Sequence, residues 1–79
     1  MSIMEGIADD LAQKALDVEA KSGDETIIRK VADAIGNSSP TMQEAFLTAI
    51  RVRRGDRRAH ELLDAELERL SRGLPSPEA

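Results

Sequence analysis

Seventy-nine residues suffice for one domain, whose folding buries about 60% of the surface that the unfolded chain exposes. With no cysteine and a single histidine, the chain lacks the makings of a disulfide or a zinc site, so cohesion must come from packing. A formal charge of −4 argues against a dedicated binder of nucleic acid or of an anionic membrane, since both carry a basic footprint.

The packing material is eight leucines, six isoleucines, three valines, three methionines and one phenylalanine, beside eleven alanines. Strand-favouring residues are scarce and nowhere alternate with period two, so the expected class is all-α. The pattern predicts a small bundle of four short amphipathic helices, about 3–21, 25–35, 40–54 and 57–72. Residues 1–73 form a single helical domain in this reading, and 74–79 a flexible, disordered tail.

In the first predicted helix, Ser2 and Glu5 have capping-box spacing, and Ile3, Met4, Ile7, Ala8, Leu11, Ala15 and Val18 fall on one side. Asp9, Asp10, Asp17 and Glu19 lie on other sectors, as a solvated acidic face would. Leu16 stands outside the apolar arc, exposed or at an interface. Gly23 can close this helix, and Asp24, or Ser22 with Glu25, can cap the second. The second helix gathers Ile27, Ile28, Val31, Ala32 and Ile35 on one side and ends at Gly36.

The third helix has the clearest limits, with Ser39 as cap, Pro40 as first residue and Gly55 as the expected stop. Met42, Ala45, Phe46, Ala49 and Ile50 share one face, which predicts a core centred on Phe46. Leu47 points outward in this scheme. Arg53 falls near the middle of the apolar sector, where its stem can snorkel outward or its guanidinium can bond the terminal carbonyls. Gly55-Asp56 reads as a stop followed at once by a cap, turning the chain into a fourth helix whose buried stripe is Ala59, Leu62, Leu63, Leu67 and Leu70. Glu66 interrupts that stripe, at a subunit contact or at the core's edge. Gly73 is the final stop. A second arrangement lets helices three and four project as a longer hairpin that completes its core with another copy.

Charge is unevenly distributed. Residues 1–50 carry a net −5, residues 51–58 a net +4 and residues 59–79 a net −3. Arg51, Arg53, Arg54, Arg57 and Arg58 thus form one basic corner on an acidic body, able to hold carboxylates or phosphates by bidentate hydrogen bonds. No aromatic side chain is interleaved for base stacking. The segment Val31–Phe46, VADAIGNSSPTMQEAF, resembles the helix-turn-helix of lac-repressor-type regulators. Ala32 corresponds to the small residue of the first helix and Gly36 to the left-handed turn, while Val31, Ile35, Met42 and Ala45 match the locking apolar positions. The resemblance implies a recognition helix that presents Ser38, Ser39, Thr41, Gln43, Glu44 and Leu47 to a groove. Of these, Gln43 is the residue suited to read adenine. Because none is basic, phosphate contacts would fall to Arg29, Lys30 and the basic corner.

Other patterns do not assemble into chemistry. His60-Glu61-Leu62-Leu63-Asp64 has aspartate where a helical zinc protease needs its second histidine. The serines fall at caps and turns, where backbone hydrogen bonding explains them. Arg54-Gly55-Asp56 spells an adhesion tripeptide and Asn37-Ser38-Ser39 a glycosylation acceptor, neither expected to matter in a cytoplasmic protein. With no span-length apolar run and no signal-peptide pattern, the cytoplasm is the expected location. The sequence therefore predicts a non-catalytic module without cofactor, metal or small-molecule substrate. It would bind a protein partner, or itself as a homodimer, through Arg51, Arg53, Arg54, Arg57, Arg58 and Leu47. DNA binding by the helix-turn-helix is the alternative.

Overall fold

The computed structural model describes residues 2–73. Among them are three α-helices and no strand: α1 (Ile3–Ser22), α2 (Ile27–Gly36) and α3 (Pro40–Ser71). The predicted tail, 74–79, lies outside the described residues. The all-α class holds, with three helices in place of the four expected.

Local chemistry sets the helix limits. Ser2 Oγ accepts a hydrogen bond from the Glu5 amide at 3.1 Å, satisfying one of the free donors of the first turn of α1. At the other end Gly23 adopts φ 72°, and its N–H bonds the Glu19 carbonyl at 2.9 Å. Asp24 Oδ1 then accepts from both the amide and the hydroxyl of Thr26. This turn delays α2 to Ile27, two residues beyond the predicted start. Ser39 Oγ accepts from the Met42 amide at 3.1 Å, and Pro40 occupies the first position of α3, where its missing N–H costs nothing.

The core joins all three helices. Ala8, Ala12, Ala15 and Leu16 come from α1, Ile28 and Ala32 from α2, and Phe46 and Ile50 from α3. Phe46 is fully enclosed, at 0% exposure, as expected of the only aromatic. Leu11, Ile27, Val31, Ile35 and Met42 pack half-buried around it. Asp9 pairs with Arg53 and Asp17 with Arg57, so position along α1 and position along α3 rise together. α1 and α3 therefore run in the same direction, and α2 returns the chain between them.

Two expectations about α1 are corrected. Its buried line is Ala8, Ala12, Ala15 and Leu16, rotated from the predicted face, and leaves Ile3, Ile7 and Val18 exposed. Leu16, expected outside the core, is only 4% exposed. The large side chains define the sequence's apolar arc, but the alanines lie against α2 and α3, because their size permits close approach.

The larger correction concerns the predicted break at Gly55. α3 runs unbroken for 32 residues, and Gly55 is helical. Among the described residues only Gly23 and Gly73 take a positive φ. Glycine inside a helix costs about 1 kcal/mol relative to alanine, too little by itself to end one. Arg54 and Arg57, on either side of Gly55, are both tied to carboxylates of α1, which braces the joint. A 32-residue helix is about 48 Å long, and α3 accordingly sets the longest dimension of the molecule, 53 Å. Its distal part extends past the core, so the stripe predicted as buried lies in solvent. Leu62, Leu63, Leu67 and Leu70 are 70%, 60%, 65% and 60% exposed.

Candidate interaction surface

The basic corner is largely engaged with α1. Arg53 Nε donates to Asp9 Oδ1 at 2.7 Å and its Nη2 to Asp9 Oδ2 at 2.6 Å, a bidentate pair. Gln13 Nε2 also donates to Asp9 Oδ2, at 3.0 Å. Neither snorkelling nor a terminal carbonyl explains Arg53: its charge is neutralised across the helix interface, and Asp9 is no solvated bystander. The hydrogen bonds from Arg53 hold the Asp9 carboxyl below its ordinary value of 3.8, against partial burial that opposes the shift. The same contact raises the already high value of Arg53.

Arg54 Nη2 donates to both carboxylate oxygens of Glu19, at 3.3 and 3.0 Å, and Arg57 Nη2 to Asp17 Oδ1 at 3.0 Å. These two contacts are more exposed and are expected to be individually weak. Three of the five corner arginines thus face this chain's own acidic helix. Arg51 and Arg58 are exposed and make no ion pair among the described residues. Leu47, expected to face outward, is half-buried against the core.

The residues carried over from the helix-turn-helix resemblance are divided. Arg29, Ser38, Thr41 and Glu44 are exposed, as is Lys30, whose Nζ lies 3.5 Å from Asp24. Ser39 is spent on the cap of α3. Gln43 turns inward, its Nε2 donating to the Ala32 carbonyl at 2.9 Å. Gly36 permits this, because a Cβ there would stand 2.5 Å from Gln43 Nε2. Gly36 itself remains within α2 without a left-handed φ.

The surface left without a partner is one side of α3. At 100° per residue, Val52, Ala59, Leu63, Leu67 and Leu70 share an exposed sector with the charged Asp56, while Ala45 and Ala49, on the same side, are half-buried against the core. Its proximal end borders a shallow depression of about 420 Å³ lined by Met4, Ala45, Ala49 and Val52, with Glu5 and Glu44 at its rim. Val52 is 62% exposed. Glu66, which interrupts the stripe, is paired within its own helix to Arg69, one turn on. Those hydrogen bonds hold the Glu66 carboxyl below its ordinary value of 4.5. Arg72 pairs in the same way with Glu68. The spacing of the distal leucines was readable in the sequence; the assumed break at Gly55 turned them inward as a buried stripe.

The remaining chemistry is sparse. His60 Nδ1 lies 3.0 Å from the Asp56 carbonyl and 3.2 Å from its carboxylate, and both contacts raise the imidazole above its ordinary 6.5, the carbonyl more strongly. Among the described residues no three His, Cys, Asp or Glu side chains are placed to hold a metal ion, and no helix is long and apolar enough to cross a membrane. No family model, curated protein or solved structure matches this chain.

Proposed function

We propose that the chain is a non-catalytic interaction module whose contact surface is the unsupported side of α3. The observation that carries this reading is the exposure of Leu63, Leu67 and Leu70 on a helix that extends past its own core. Isolated leucines in solvent are ordinary, but a helical row of them is the form in which one helix recognises another. Arg51 and Arg58, exposed on a neighbouring side of α3 beside Leu62, remain available to an acidic partner, which narrows the electrostatic part of the surface from five arginines to two. A photo-crosslinking residue at Leu67 tests the reading in cells. A discrete protein adduct is expected from position 67 and none from Lys30 on α2; no adduct at 67, or equal labelling at both, would refute it.

DNA binding is the weaker alternative, because the amide that would read a base, that of Gln43, is committed to the Ala32 carbonyl. Titration with random duplex at low ionic strength is expected to show no binding. Affinity that falls steeply with added salt would reverse the choice.

A further inference from the structure

The kind of partner follows from the groove that meets this surface. We propose that the open groove between α1 and α3, on the side away from α2, receives a basic amphipathic helix of another protein, with lysine or arginine on both flanks of an apolar ridge; this rests on the interaction reading above and names the partner's chemistry.

Three features carry the proposal. The first is shape. Two packed helices leave a groove on either side of their contact, and α2 fills one of them, where Gln43 reaches the Ala32 carbonyl. The other is the depression of about 420 Å³, to which no described residue of α2 contributes. Its floor is Met4 of α1 with Ala45, Ala49 and Val52 of α3. The alanines keep that floor low, and Met4 is the side chain best able to adjust to an incoming ridge. A helix laid there touches α1 and α3 together, with apolar residues at i, i+3, i+4 and i+7 pointing down.

The second feature is charge. Glu5 on the α1 wall and Glu44 on the α3 wall make no ion pair among the described residues, while Asp9 is already matched by Arg53. No lysine or arginine lines this groove. The depression beside Gly55, in contrast, mixes Arg54, Arg57 and Arg58 with Glu19 and Glu61, and the one beside Ala65 mixes Arg69 and Arg72 with Glu68. Asp56 stands one turn past Val52 in the exposed sector, and its ion-pair partner among the described residues is His60. Negative charge thus lies on both sides of the floor and at one end, which basic flanks complement and acidic ones oppose. The third feature is length. Ala45 to Asp56 covers three turns, about 16 Å, so a helix of about 18 residues, about 27 Å, spans the groove and continues over the exposed Ala59 and Leu63. Groove and distal leucines then form one track.

Two synthetic helical peptides of about 18 residues test this, one of leucine and lysine and one of leucine and glutamate, titrated into the isotopically labelled full chain. The lysine peptide should move the amide resonances of Glu5, Ala45, Thr48 and Val52 and leave those of Arg29 and Ala34 on α2 in place. At low ionic strength its dissociation constant should be about tenfold or more below that of the glutamate peptide. Glu5→Gln combined with Glu44→Gln, both at exposed positions, should raise that constant about fivefold without changing the circular dichroism of the free chain. Equal affinity for the two peptides, or shifts spread over carboxylates outside the groove, would overturn the proposal. So would the same shifts on concentrating the chain alone, which would identify a second copy as the occupant. A photo-crosslinking residue at Thr48 separates the proposal from the reading it rests on. Adducts at both Thr48 and Leu67 are expected, the crosslinked segment carrying a net positive charge by mass spectrometry. An adduct at Leu67 with none at Thr48 would leave the interaction module standing without this groove, and no adduct at either would remove both.

Discussion

The Asp9–Arg53 contact is where a single pair of side chains does most to fix how the helices lie. Arg53 sits in the sector that should be apolar, and only a carboxylate one helix away makes that position tolerable. Because the Asp9 value is lowered on folding, its contribution to stability is present above the ordinary 3.8 and is lost as pH falls through the lower folded value. Asp9→Asn should therefore reduce the thermal midpoint at neutral pH, and the gap from the natural chain should close as pH drops below that range. A cycle with Arg53→Gln should show strong coupling at pH 7 and little in acid, measured by thermal melts at each pH. His60 has the opposite sign. Its raised value means that its contact with Asp56 stabilises fully below 6.5 and is lost as pH rises through the folded value. An imidazole titration followed by NMR should place the midpoint above 6.5, and Asp56→Asn should lower it, although the contact with the Asp56 carbonyl remains.

Helix by helix, the sequence disclosed the caps more faithfully than the faces. Ser2, Gly23, Ser39, Pro40 and Gly73 act as their local chemistry predicts, because a cap is settled by the few residues around it. Gly55 was misread for the same reason. Gly-Asp fits a stop and a cap locally, but whether a helix ends there depends on what lies beside it, and Asp17 and Glu19 are nearly forty positions away in the chain. The face of α1 was misjudged because large side chains dominate a hydrophobic count, while the neighbours chose the alanines. For the candidate surface, the distal leucines were read from sequence as a buried stripe and Leu47 as the exposed one, the reverse of what the fold gives, and which of the corner arginines are occupied was decided by pairing with α1. If α3 is continuous, Gly55→Ala should stabilise the chain by up to about 1 kcal/mol, and Gly55→Pro should cost about 3 kcal/mol or more. Chemical denaturation measures both; a loss on Gly55→Ala would indicate a left-handed turn instead.

Taken as one object, the molecule is a compact three-helix head with a helical rod extending from it. Its stability should be distributed accordingly, since backbone hydrogen bonds in the rod lack the tertiary packing that Phe46 supplies to the head. Amide hydrogen exchange at low protein concentration is expected to be slowest around Phe46 and Ile50 and fast from about Leu63 onward. Protection of the rod should rise when a partner covers it while the head changes little. Uniform protection of the chain by itself would mean that the rod is held by something within the chain.

Ala8, Ala12 and Ala15 also act as a gauge. Methyl groups are all that separates the backbone of α1 from its neighbours along that line, and this clearance lets a guanidinium span to Asp9, Asp17 or Glu19 without stretching. A bulkier residue at Ala12 would act as a wedge, opening the seam and unclipping the arginines. Freed from α1, those cations would turn a nearly neutralised edge into a strongly electropositive one, so the polarity of this flank is ultimately metered by the smallest side chains in the interior.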